Sequence, residues 1–155
     1  AGMHFVGGIT RLGGEQALAS LTPAFLALVP GFFSNDTEES VRSLDGLLHL
    51  FFAAEPSEAD AYLLLGCALA TPPHVRQALF SRSLNNDDVL GRIRKPVLIT
   101  QGTADAIVKP EIVREHAAHL KHAQVDLMDG AGHAPFWENS NEFNRRLATF
   151  AKECQ

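Results

Sequence analysis

The sequence predicts an α/β fold: three mostly parallel strands with flanking helices and an inserted helical cap. Three observations carry this reading. Val97 to Thr100 is a short, apolar, largely β-branched run directly after Pro96, suited to a strand buried on both faces. A second run, Val125 to Met128, follows a helix-patterned stretch. That strand–helix–strand order is the signature of a parallel sheet with a right-handed crossover. Between Gly14 and Gly91 lie roughly 75 residues that read almost wholly as helices, too many for a simple crossover and therefore an insertion.

The elements run in order along the chain. Met3 to Gly8 reads as a strand stopped by two glycines, and Thr10 to Gly14 as a turn. Glu15–Leu21 and Pro23–Val29 are short helices, the second with proline in its first turn. Pro30-Gly31 breaks the second and leaves Phe32 and Phe33 in the break. Asp36 with Glu39 has capping-box spacing and opens a helix whose apolar face is Val41, Leu44, Leu47, Leu48, Phe51 and Phe52. Ser57 with Asp60 repeats that spacing ahead of Ala61, Leu64, Leu65, Ala68 and Leu69. Cys67 in this run reads as a small core residue. Thr71-Pro72-Pro73 ends the helix, Val75 to Phe80 forms another, Asn85 to Asp88 is a polar turn, and Asp88 to Ile93 leads to Pro96. Pro110 starts a helix with Val113, Ala117 and Leu120 inward. His116, His119 and His122 drift around that helix without a metal-ligand pattern and read as solvated surface. Asn139 with Glu142 opens the last helix, which buries Phe143, Leu147, Phe150 and Ala151 and turns Arg145, Arg146 and Lys152 outward. The division is thus 1–13 and 84–155 for the sheet-bearing part and 14–83 for the helical cap.

With 46% hydrophobic and 20% charged residues, the 155-residue chain has an ordinary globular balance. A net charge of −5 and the lack of a basic stripe argue against a nucleic-acid partner. No uninterrupted apolar stretch is long enough to suggest a membrane span. Cys67 and Cys154 have neither metal nor redox spacing, so a reducing compartment, the cytoplasm, is expected. The chain begins without Met and runs straight into apolar sequence, which reads as an internal start.

The chemistry concentrates on two turns. Gly102-Thr103-Ala104-Asp105 ends the first strand with a carboxylate, and Asp129-Gly130-Ala131-Gly132-His133 ends the second with an imidazole. Neighbouring parallel strands bring their C-terminal ends to one edge of the sheet, so Asp105 and His133 should meet within ~2.6–3.2 Å. Taken singly, Asp105 reads as a turn-forming residue and His133 as a loop histidine.

As a pair, in this order, PVLITQGTADAIVKP and DGAGHAPFWENSNEFNRRLATF resemble the C-terminal half of an α/β-hydrolase fold enzyme of the esterase and haloperoxidase-like branch. The resemblance implies that Asp105 is the acid and His133 the base of a catalytic triad, that the helical block is the cap over a substrate pocket, and that MHFVGG is the strand before it. The family's nucleophile elbow, G-x-S-x-G, does not occur in these residues. The resemblance therefore implies a C-terminal part of a serine-type hydrolase on esters or related acyl compounds, needing an N-terminal half for the nucleophile and inactive alone. Neither metal nor cofactor is called for.

Phe32, Phe33, Phe136 and Trp137 are candidates to line the pocket for a small apolar ester-type substrate. The expected partner is the complementary half, or a second copy joined through the open sheet edge near residues 3–8. The alternative is a non-catalytic α/β fragment that self-associates or binds an apolar small molecule under its cap.

Overall fold

The computed structural model describes residues 1–120 and 122–155. Its sheet has three parallel strands in the order β1 (Met3–Val6), β4 (Val97–Gly102), β5 (Ala123–Met128). Met3 lies beside Val97, and Val97 beside Ala123. Every residue of β4 is buried, as an apolar run covered on both faces requires. β5 is an edge strand and differs: Val125 and Leu127 are exposed on one face.

Between β1 and β4 run α1 (Gly14–Ala19), α2 (Pro23–Leu28), a 3₁₀ turn (Val29–Phe33), α3 (Thr37–Phe51), α4 (Glu58–Leu69) and α5 (Pro73–Phe80). Two strands of two residues close this block: β2 (Arg11–Leu12) pairs antiparallel with β3 (Leu84–Asn85). Both stretches read as turns in the sequence, because two-residue strands show no alternation to detect. After α6 (Asp87–Leu90), the crossover α7 (Ile112–His119) links β4 to β5, and α8 (Pro135–Glu138) and α9 (Ser140–Glu153) complete the chain.

The capping residues act in three ways. Asp36 accepts the Glu39 amide at 2.8 Å, while the Glu39 carboxylate bonds the Ser34 hydroxyl instead of reaching back to the cap. Ser57 accepts the Asp60 amide and donates to its carboxylate. Asn139 makes no side-chain cap; Glu142 instead binds Arg145 and Arg146, which hold its carboxyl at about 2. Arg146 is thus not an outward charge: it also pairs with Asp126 on β5.

The helical block and the sheet share one core. Phe25, Phe32 and Leu44 pack in the same cluster as Val97, Ile99, Ile107 and Leu120. A second, smaller cluster of Met128, Ala131 and Phe143 lies under α9. Within the block, Arg76 is buried with no carboxylate partner among the described residues, and its burial pulls its pKa down. It donates to the carbonyls of Phe32 (2.6 Å) and Thr71 (2.6 Å) and to Ser40 Oγ (2.8 Å), tying the 3₁₀ turn, α3 and the α4–α5 link together.

Two sequence expectations are corrected. α4 has no fully buried residue: Tyr62, Leu63 and Leu69 are exposed, and so is Cys67, because only one side of this apolar helix meets α3. His116 is not solvated surface but 3% exposed, on the inner side of α7 between Val113 and Leu120. Its Nε2 has no hydrogen-bond partner among the described residues.

Burial lowers the pKa of His116, and that of His4, below the ordinary histidine value of 6.5. The folded chain then holds these rings neutral while the unfolded chain protonates them, so stability falls as pH drops through 6.5. His116→Leu removes one such ring together with its orphan nitrogen. Urea midpoints at pH 7.5 and 5.5 should show a smaller loss of stability on acidification for the variant than for the parent chain.

Candidate active site

The site begins at the C-terminal end of β4. Asp105 follows two turn residues, and its side chain is wholly buried, 0% exposed. Such a carboxylate is stable only if its lone pairs are met. Oδ1 accepts the amides of Ile107 (2.8 Å) and Val108 (2.9 Å). Oδ2 accepts the side-chain amide of Gln101 (2.6 Å) and lies 2.8 Å from His133 Nδ1. The distance to His133 falls within the range expected from the two strand ends. Because a carboxylate only accepts, Nδ1 carries the proton and the lone pair sits on Nε2.

His133 is fixed from several sides. The Thr103 amide bonds Met128 O and the Ala104 amide bonds Ala131 O, which joins the two strand-end loops. Gly7, at φ +52°, lies against the imidazole: a Cβ there would stand 2.9 Å from His133 Cε1. Only glycine takes that backbone conformation without strain and also leaves room for the ring. The Phe51 ring meets the imidazole edge-on at 5.2 Å.

The loop before His133 is held between β4 and the end of α3. A Cβ on Gly102 would stand 2.0 Å from Gly132 O, and one on Gly132 would stand 2.6 Å from Ala53 N. The Ala134 amide donates to Phe51 O at 3.0 Å. Glu138 accepts the Gly132 amide (2.6 Å) with one oxygen and the Ala53 amide (2.5 Å) with the other. On the Asp105 side, the Thr22 amide donates to Ile107 O, and the Lys109 amide to Ser20 O. The helical block therefore packs on both strand-end loops.

A cavity of about 270 Å³ opens beside His133. Its walls are apolar: Leu18, Leu21, Phe25, Phe80, Ile107 and Val108 contribute most of them. No lysine, arginine, serine, threonine or cysteine lines it among the described residues. A larger cavity, about 400 Å³, runs along the outer edge of β1 between Phe5, Thr10, Asn86 and His116 and reaches neither Asp105 nor His133.

None of the four aromatic residues expected to line the pocket lines the cavity beside His133. Phe32 is 2% exposed in the core behind the lining, because the 3₁₀ turn continues α2 inward instead of breaking it open. Phe33 packs on Phe80 from behind. Phe136 and Trp137 point outward, 46% and 40% exposed, since α8 starts at Pro135 and turns them toward Phe143 and Phe52. Phe25 and Phe80 take their place, and Phe51, read from the sequence as packing, touches His133. Gln101 had a usable signal: a polar residue inside a buried apolar strand needs a partner nearby. Glu138 had none, because its two partners are far apart in the sequence.

Asp105→Ala leaves the Gln101 amide and two backbone amides without an acceptor. At about 1–3 kcal/mol for each buried orphan donor, the expected loss of stability is at least about 3 kcal/mol. Gln101→Met removes a donor but orphans nothing in the loop, and should cost less. Urea denaturation of the two variants beside the parent chain checks the ranking.

The comparisons with known proteins agree with this fold. No family model matches the chain. An esterase from Rhodococcus sp. superposes on 100% of the chain with a TM-score of 0.91 at 31% identity, over 57% of its own length. A bromoperoxidase from Bacillus anthracis covers 96% of the chain with a TM-score of 0.78 at 23% identity, over 57% of its length. A curated relative, the 2-hydroxy-6-oxononadienedioate/2-hydroxy-6-oxononatrienedioate hydrolase of Cupriavidus pinatubonensis, is 26% identical over 89% of the chain and 50% of its own length. The chain thus spans about half the length of the curated relatives it matches. With its three parallel strands and their flanking helices, it belongs to the α/β-hydrolase fold superfamily.

Proposed function

We propose that this chain supplies the acid and the base of a serine-type hydrolase and works with a nucleophile carried outside these 155 residues. The observation behind the reading is the buried Asp105–His133 pair, 2.8 Å apart, at the mouth of an apolar cavity. A hydroxyl attacks an acyl carbon only when a base takes its proton. In this reading His133 Nε2 takes that proton and returns it to the leaving alcohol. Asp105 holds the imidazole in the required tautomer and stabilises the imidazolium without itself accepting the proton. Water then repeats the cycle to release the acid. Cys67 does not serve as a substitute nucleophile, since it is exposed on α4 and absent from the cavity lining.

The substrate we propose is a small, uncharged ester with an apolar acyl group. The curated relatives are named for dioates, but a carboxylate in this cavity would meet no cation among the described residues. Burying an unpaired carboxylate is costly, so apolar walls favour a neutral group.

The partner we propose is the complementary N-terminal part of the fold, or a second copy of the chain, joined along β1. Met3 and Gly7 donate their amides to Pro96 and Thr100. In a parallel ladder the alternate residues, His4 and Val6, direct their backbone groups to the other side, where the larger cavity runs. An open strand edge of this kind recruits another strand. No helix among the described residues is long and apolar enough to cross a membrane. The two free cysteines support a reducing compartment such as the cytoplasm.

The test is a p-nitrophenyl butyrate assay of the purified 155-residue protein beside its sizing profile. The chain alone should not exceed buffer, because losing a triad nucleophile costs ~10⁶-fold in rate, and it should elute larger than a monomer. Adding the part of the Rhodococcus esterase that this chain does not cover should raise turnover, and His133→Ala should remove it. Turnover by the chain alone that His133→Ala abolishes would place a nucleophile within these residues and overturn the split reading. Complementation that never yields His133-dependent turnover favours a non-catalytic fragment.

A further inference from the structure

We propose that Glu138 is a positioning residue that couples the helical block to His133. This rests on the reading of His133 as the catalytic base.

The Glu138 side chain hydrogen-bonds both the end of α3 and the histidine loop. One carboxylate oxygen accepts the amide of Gly132, the residue before His133, at 2.6 Å. The other accepts the amide of Ala53, just past the end of α3, at 2.5 Å. On the far side of the histidine, the Ala134 amide donates to Phe51 O at 3.0 Å. His133 is therefore flanked by two residues whose backbones are tied to the same helix end, and its ring rests edge-on against Phe51 from that helix. Gly132 has no side chain because the backbone of Phe52 and Ala53 occupies the place of its Cβ. The two segments meet backbone to backbone at this point, and Glu138 supplies one hydrogen bond to each.

A carboxylate suits this task for a chemical reason. Both partners are N–H donors, and only a group with two accepting oxygens meets both. An amide in its place has one accepting oxygen, and its own N–H₂ then faces a backbone N–H. The bond to Asp105 orients one nitrogen of His133, but it does not by itself fix where the loop stands relative to the cavity. The Glu138 clasp ties that position to α3, so a displacement of the helical block is carried to the imidazole.

Two readouts on the 155-residue chain test this. The first is the far-downfield proton resonance of His133 Nδ1–H, assigned by its loss in Asp105→Asn. The second is amide hydrogen exchange at Ala53 and Gly132. In Glu138→Gln both amides should exchange more than about tenfold faster, and the Nδ1–H resonance should broaden or vanish. Circular dichroism and a cooperative melt should show the chain still folded, since Glu138 is half-exposed and outside the core. Glu138→Ala should reproduce the effect without the repulsive amide group. Faster exchange with an unchanged Nδ1–H resonance would make Glu138 a structural tie only and overturn the proposal, as would unchanged exchange at either amide. Both signals belong to this chain alone. A failed complementation assay would count against the hydrolase reading and leave this result intact.

Discussion

The structure depends on one buried carboxylate. Asp105 has no exposed side-chain surface and four donors directed at two oxygens. Those donors come from three places: the strand before it, the turn after it and a loop 28 residues further on. Removing a carboxylate from water costs several kcal/mol unless each lone pair is met. The last of these donors, His133, reaches the carboxylate only when β4 and β5 end side by side. The same condition that makes the charge tolerable brings His133 to it and leaves Nε2 as the imidazole's free acceptor.

The helical block is built on the same logic of satisfied buried groups. Arg76 has no anion to pair with among the described residues, and it is accommodated because three carbonyls and a hydroxyl surround its guanidinium. These acceptors lie on α3, the 3₁₀ turn, the last turn of α4 and the link after it, so one side chain sets how the helices of the block meet. The block then shares its apolar core with the sheet through Phe25, Phe32 and Leu44. It is consequently a roof whose packing extends down to β4, and the cavity beside His133 lies in the seam, walled by Phe25 and Phe80 from above and by Ile107 and Val108 from below.

The parallel strands and most helix starts were legible in the sequence because they depend on local patterns: a buried β-branched run, a capping serine, a proline at the first turn. The pairing of Asp105 with His133 was legible because strand ends in a parallel sheet share an edge. Which aromatic residues reach the cavity was not legible. Phe32 and Phe33 come after Pro30-Gly31, which locally signals a break, but the chain continues as a 3₁₀ turn and carries Phe32 into the core. Phe136 and Trp137 lie close to His133 in the chain, but a short helix turns them to the surface. His116 lies on a helix with polar neighbours, and only the packing of α7 against the sheet shows that it is inside. For His116 the deciding contact comes from a segment remote in sequence, which periodicity does not register.

The convergence on His133 is a matter of backbone proximity more than of side chains. Gly7 at the end of β1, Gly102 at the end of β4 and Gly132 in the histidine loop each occupy a place where a Cβ would collide with a neighbour. Glycine costs conformational entropy in the unfolded chain, and three of them at one point is a cost that an ordinary turn does not require. Their placement lets β1, β4, the histidine loop and the end of α3 approach within van der Waals distance around one ring. The imidazole is then located by four separate elements, β1 among them, although among the described residues β1 leaves one edge free of pairing. In the complex proposed above, a strand docked on that edge would steady the strand end on which the His133 ring rests.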